Sequence, residues 1–138
     1  GNNKFLYSIS TYTDTAVRMI DIQVFKQILR QNPLFSYRIL NILNESTAQS
    51  YGRFFSLTQK QGAGRLADIL LCLSRRIFKA DSFELPLSRS DLSDLTCMST
   101  ESVIRIMKEF KDDNIIENKN KSVSLIDVQR LERISLNG

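Results

Sequence analysis

At 138 residues with 42% hydrophobic content, the chain can hold one or two small domains around a buried core. It has no histidine and only two cysteines, Cys72 and Cys97, which removes the commonest general base and metal ligand, leaves no disulfide framework, and argues against an enzyme. No run approaches the roughly 20 apolar residues that cross a bilayer, and no basic-then-apolar leader precedes Phe5, so a soluble, unexported, cytoplasmic protein without membrane partners is expected. The start at Gly1-Asn2-Asn3-Lys4, without an initiator methionine, reads as a piece of something longer.

In chain order, β-branched and aromatic residues in Phe5-Leu6-Tyr7-Ser8-Ile9-Ser10 and Ala16-Val17-Arg18-Met19-Ile20, separated by Thr13-Asp14, predict two strands around a turn. Asp21 then caps a helix from Ile22 to Gln31 with Val24, Phe25, Ile28 and Leu29 as its apolar stripe, and Asn32-Pro33 stops it. A long helical pattern follows over 34–58, with apolar or small residues at Leu40, Leu43, Thr47, Ser50, Phe54 and Leu57. Their alternating spacing of three and four is a heptad seam suited to a second helix, although packing on its own domain is the competing reading. Gln59 to Gly64 breaks the pattern as a hinge, and a helix begins at Gly64 with a strongly apolar face through Leu73. Cys72 and Cys97 are expected as small buried hydrophobes. Lys79 to Phe83 reads as a polar connection, and Glu84-Leu85-Pro86-Leu87 as a short edge strand, where proline is tolerated.

The stretch from Leu85 to Leu125 carries the most information. Ser88 stands three residues before Asp91 in a capping-box arrangement, opening a helix with Leu92 and Leu95 on one face. Thr96-Cys97-Met98 makes a tight break, and Ser99 caps a second helix over 99–111. Val103, Ile106, Met107 and Phe110 face inward on that helix, leaving Thr100, Glu101, Ser102, Arg105 and Lys108 outward. Ile115-Ile116-Glu117 and Val123-Ser124-Leu125 then bracket Asn118-Lys119-Asn120-Lys121, a hairpin with a basic tip, and Asp127 caps a last helix with Val128, Leu131 and Ile134 packing back. Two short helices followed by a hairpin make a winged helix-turn-helix, whose second helix presents its N-terminal half to base edges.

Three segments, Leu87 to Leu95, Ser99 to Lys108 and Asn114 to Glu117, resemble the C-terminal half of the Crp/Fnr family of bacterial transcription regulators, and the likeness extends over nearly the whole chain. It implies a mainly α fold with a small β component: a remnant of an effector-sensing β-roll in 1–32, a dimerisation helix and hinge in 33–61, and a winged helix-turn-helix DNA-binding domain in 62–138. The family's base-reading glutamate and arginine fall on Glu101 and Arg105. A guanidinium can bond guanine O6 and N7 together while a carboxylate accepts from cytosine N4, and four-residue spacing keeps both on one face. An ordinary surface ion pair between them is the bland alternative. Thr100, where some members carry a second arginine, and Ile104, where relatives carry glycine or serine, depart from the pattern.

Implied partners are a second copy of the chain, pairing through Leu40, Leu43, Thr47, Ser50, Phe54 and Leu57, and pseudo-palindromic duplex DNA. Ser88, Arg89, Ser99, Thr100, Glu101, Ser102, Arg105, Lys108, Lys119 and Lys121 are the candidate DNA contacts, and the resemblance leaves RNA polymerase open as a further partner. Family members that bind cyclic AMP hold its phosphate with a residue pair that falls here on Phe5-Leu6, neither of which bonds phosphate, and their adenine contacts would fall near Ser50 and Tyr51. Cyclic AMP is therefore not expected, the effector is unknown, and no metal is expected here. Charge keeps a second class open: residues 62–138 hold 12 basic and 12 acidic groups while residues 1–61 hold 7 and 3, so a protein-interaction module on the same scaffold is the alternative to DNA reading.

Overall fold

In the computed structural model, which describes residues 8–9, 11 and 13–138, local capping chemistry places the helices. The Asp21 carboxylate accepts from the backbone N–H groups of Gln23 and Val24 and opens α1, Ile22–Gln31. Asn32 then both ends α1, its N–H donating to the Ile28 carbonyl, and starts α2, Pro33–Gln59, by accepting the Phe35 N–H on its side chain. Proline at the first helical position costs nothing there because its missing N–H would have been unpaired.

The chain forms two compact units, one ending at Asn41 and the other running Ile42–Gly138. In the first, Phe25 and Phe35 meet edge to face at 5.9 Å and the Ser36 hydroxyl donates to the Leu29 carbonyl. The expected strand Ala16–Ile20 is irregular and exposed. A strand is stabilised only by a partner ladder and a covered face, and no described residue supplies either. Most of the companion strand, Phe5–Ser10, lies outside the described residues, as does the Phe5-Leu6 pair.

Beyond the end of α2, which it includes from Ile42 to Gln59, the second unit is a winged domain. Its elements are α3, Gly62–Cys72, continued by a π-helical segment Leu73–Phe78; β1, Ser82–Glu84; α4, Arg89–Thr96; α5, Thr100–Asp112; β2, Ile116–Lys119; β3, Ser122–Leu125; and α6, Val128–Asn137. The strands pair antiparallel in the order β1-β3-β2, with Phe83 opposite Val123 and Ile116 opposite Leu125. Leu66, Leu70, Leu92, Val103, Ile115, Ile116, Val123 and Leu131 are fully buried between helices and sheet. At the end of α5, Asn114 turns left-handed with φ 56° and the Ile115 N–H returns to the Phe110 carbonyl, a helix stop that asparagine accommodates. The sheet therefore follows α5 without slack.

Four expectations are corrected here. The interruption after α2 is confined to Lys60 and Gln61, because Gly62 and Gly64 lie inside α3. Gly64 serves packing: a Cβ there would stand 2.8 Å from the Gly138 carbonyl oxygen. The edge strand starts two residues before Glu84, since Ser82 and Phe83 pair with β3 while Pro86 falls past its end. Phe83, assigned to a polar connection, is buried and stacks on Phe78 at 4.9 Å. Both cysteines are exposed. Cys72 lies off the inward row Leu66, Ala67, Leu70 and Leu71 of α3, and Cys97 stands at the apex of the α4–α5 turn.

Candidate nucleic-acid interface

The Ser88 hydroxyl accepts the Asp91 N–H at 3.1 Å and the Asp91 carboxylate accepts the Ser88 N–H at 2.7 Å, so the capping box read from sequence is complete. Hydrogen bonds that its carboxylate receives from the Ser88 side chain and backbone hold the Asp91 carboxyl below the usual range. The turn that follows is tied down from both sides. Cys97 adopts φ 48°, the Met98 N–H reaches the Ser93 carbonyl at 3.2 Å, and the Ser93 hydroxyl donates to the Met98 carbonyl at 2.6 Å. Buried Thr96 donates to the Leu92 carbonyl. This fixes the start of α5 relative to α4.

Ser99 caps α5 by accepting the Ser102 N–H at 3.2 Å. Its hydroxyl donates to Ser102 Oγ at 3.1 Å. The Glu101 carboxyl is held below its ordinary range chiefly by its own backbone N–H, with the Ser99 hydroxyl second. An acid in the first turn also meets the positive end of the helix. Val103, Ile106, Met107 and Phe110 are buried, so the helix can expose only one face. That face carries Glu101, Ile104, Arg105, Lys108 and Glu109, with Thr100 and Ser102 half-buried at its upper edge.

Arg105 does not pair with Glu101. Its guanidinium donates to Glu109 at 2.7 Å, one turn further on. Glu101 and Glu109 both stand four residues from it, and the bond goes to Glu109. The pair is exposed, so parting it costs only about 0.2–1 kcal/mol. On the hairpin, Asn120 takes φ 56° at the first central position of a two-residue turn, where asparagine is tolerated. Lys119 is held by Glu117 at 2.6 Å, whereas Lys108 and Lys121 have no ion pair among the described residues. Arg89, on the first turn of α4, is half-buried with its Nη1 buried and unpartnered.

The structure thus places Ser99, Thr100, Glu101, Ser102, Arg105 and Lys108 together along the first turns of α5. Ser88 and Arg89 open α4, and Lys119 and Lys121 stand at the hairpin. Sequence reading missed what braces this arrangement. The Arg53 guanidinium of α2 donates to the Leu95 carbonyl at the end of α4. The Asp68 carboxylate of α3 accepts from Lys60 at 2.8 and 2.9 Å and from the hydroxyls of Ser56 and Ser135. Burial alone would raise the Asp68 pKa, but the bonds from Lys60, Ser135 and Ser56 outweigh it and hold it below the usual carboxylate range. Arg53 lies 42 residues from its partner, a separation that no local pattern announces.

On the expected dimer seam, Leu40, Leu43 and Phe54 are exposed at 57%, 56% and 67%, Thr47 and Ser50 are exposed, and Leu57 is half-buried. Thr47 and Ser50 return their hydroxyls to the carbonyls of Leu43 and Ser46, so neither hydroxyl requires water on the helix surface. No described group of three or more Cys, Asp or Glu side chains could hold a metal ion, and no described helix is long and apolar enough to cross a membrane.

Residues 64–134 match the model of the Crp-like helix-turn-helix domain. The transcriptional activator protein FnrA of Stutzerimonas stutzeri is 25% identical over 99 residues, covering 69% of this chain and 41% of that protein. The transcriptional activator protein Anr of Pseudomonas aeruginosa is 23% identical over 117 residues, covering 82% of this chain and 48% of its own length. The chain therefore spans a little under half of these relatives. Among solved structures, FixK2 from Bradyrhizobium japonicum superposes with a TM-score of 0.76 at 20% identity, over 81% of this chain and 57% of that one. A CooA mutant from Carboxydothermus hydrogenoformans gives 0.71 at 23%, over 83% and 55%. At such identities these structures speak for the fold.

Proposed function

The chain belongs to the Crp/Fnr family of transcription regulators, and on that premise we propose that it is the dimerising and DNA-reading part of a sequence-specific regulator acting in the cytoplasm as a homodimer. In this reading 33–61 supplies the dimerisation helix and hinge, 62–138 reads DNA, and 1–32 is the end of a β-roll sensor. Two copies of α5 enter successive major grooves about one helical turn apart. The observation that carries it is the single exposed face of α5, fixed by the Ser99 cap and the bonded turn, on which Glu101 and Arg105 lie free of the core.

Arg105 exchanges Glu109 for guanine O6 and N7, and Glu101 accepts from cytosine N4. Lys108, Lys119, Lys121, Arg89 and the hydroxyls of Ser88, Ser99, Thr100 and Ser102 serve backbone positioning and the groove wall. Selection from randomised duplexes tests the assignment. Arg105→Ala should cost about 1–3 kcal/mol at the selected site and flatten one half-site position, whereas Lys121→Ala should weaken all duplexes alike and lower the salt slope by about one. Glu101→Ala should relax selectivity with a smaller loss of affinity. Uniform weakening by Arg105→Ala, with the selected sequence unchanged, would make Arg105 a backbone contact and refute the base-reading role.

Dimerisation is tested by sedimentation. The chain should be a dimer at tens of micromolar, and Leu43→Glu with Phe54→Glu should make it a monomer. A monomer for the unaltered chain would count against the seam. The balance of 12 basic and 12 acidic groups in residues 62–138 favours one competing reading, a winged protein-interaction module. Duplex binding that does not weaken with salt, or no duplex binding at all, would select that reading.

A further inference from the structure

On the exposed face of α5, Ile104 is the one large apolar side chain among charged neighbours. It is 52% exposed, while Val103 just before it and Ile106 two residues after it are buried. Glu101 precedes it by three residues and Lys108 follows it by four, so all three occupy one strip of helix surface with side chains about 5–6 Å apart. Arg105 pairs with Glu109, one turn further along the helix.

From this placement we infer that Ile104 is a specificity-determining residue that selects thymine through its 5-methyl group. The inference rests on the proposed reading of DNA by α5 and deepens it. Isoleucine has no donor or acceptor, so it gains nothing from a phosphate or from the hydrogen-bonding edge of a base. The thymine methyl is the one alkyl group that a base pair presents in the major groove. An adenine or cytosine amine beneath Ile104 would lose water without receiving a bond, and that penalty makes the contact selective as well as attractive. Its β-branched side chain also leaves one strongly preferred χ1 rotamer on a helix, so little freedom is lost on contact.

The experiment uses the full chain and the duplex it selects from a randomised pool. Each half-site thymine is replaced in turn, in both half-sites, by deoxyuridine, which removes the methyl and keeps the base-pairing edge. At one position the unaltered chain should bind the uracil duplex about tenfold more weakly, the order expected for losing one buried methyl contact in each half-site. Ile104→Ala should bind the thymine and uracil forms of that position equally while retaining the preferences set by Arg105 and Glu101. Ile104→Val should keep a reduced methyl preference, which a loss of folding would not produce. If the unaltered chain selects a sequence yet is indifferent to every thymine-to-uracil exchange, or if Ile104→Ala retains the exchange penalty, the methyl-reading role is overturned and the proposed function stands. If no sequence is selected, both fall.

Discussion

Between Ile42 and Gly138 the chain closes its own core, with Leu66, Leu70, Leu92 and Leu131 at no measurable exposure, whereas from Ser8 to Asn41 no described residue is buried. Both regions have helices of the same amphipathic kind. The apolar stripe of α5 meets a sheet and two other helices, while Ile22, Val24 and Ile28 of α1 and Leu34 and Leu40 of α2 face outward. A helical stripe becomes a core only where the same chain supplies the opposite layer. Elsewhere it stays an exposed apolar surface.

The contrast can be broken most directly by truncating one apolar side chain in each region. Leu66→Ala should destabilise the chain by about 2–5 kcal/mol in urea unfolding, since it removes a fully buried side chain that the packed layers cannot refill. Ile28→Ala should change stability by less than about 0.5 kcal/mol. Equal losses would mean that α1 shares the core of the winged unit and that the contrast is wrong.

A smaller effect is expected where the end of α2 meets the winged unit. Asp68→Ala leaves Ser56 and Ser135 buried without their acceptor and Lys60 without its partner, and should cost about 2 kcal/mol. The Asp68 carboxyl has a lower pKa folded than unfolded. Its contribution is therefore complete above the ordinary carboxylate range and is lost as pH falls through the lower folded value. The stability gap between the unaltered chain and Asp68→Asn should accordingly shrink on acidification below that range in a pH series of urea titrations. A gap that widens there would show that the network does not favour the ionised acid.

The smallest change expected is in the α4–α5 turn. Cys97 holds a left-handed backbone at φ 48°, which costs a side-chain-bearing residue more than glycine. Cys97→Gly should raise stability by about 0.5 kcal/mol, the relieved strain being partly offset by glycine's greater freedom in the unfolded chain. Thermal unfolding with a lower midpoint would show that the cysteine side chain contributes packing that its exposure does not suggest.

What the sequence disclosed follows the range of the forces involved. Asp21, Ser88 with Asp91, Ser99 and Asp127 act within three residues, and each caps the helix expected of it. The inward row of α5 is set by helical period alone. The partner of Arg105 is not Glu101, as its spacing suggests, because Glu109 shares the same four-residue separation on the other side. The strand at Ala16–Ile20 was misread because propensity describes a fit to a pleated surface that this chain does not provide. Phe83 was misassigned because strand pairing with β3, 40 residues away, decides its fate. The bonds from Arg53 to Leu95 and from Ser135 to Asp68 span 42 and 67 residues, beyond any windowed pattern.

Those long-range bonds give α2 the character of a keyed shaft. Arg53 and Ser56, on the last two turns of α2, and Lys60 just past its end grip α4 and α3, and Ser135 closes the same socket from α6. A shaft held at several points around its circumference cannot spin in its housing without shearing all of them together. Rotating the end of α2 about its own axis would therefore cost the bonds of Arg53, Ser56 and Lys60 at once rather than one by one.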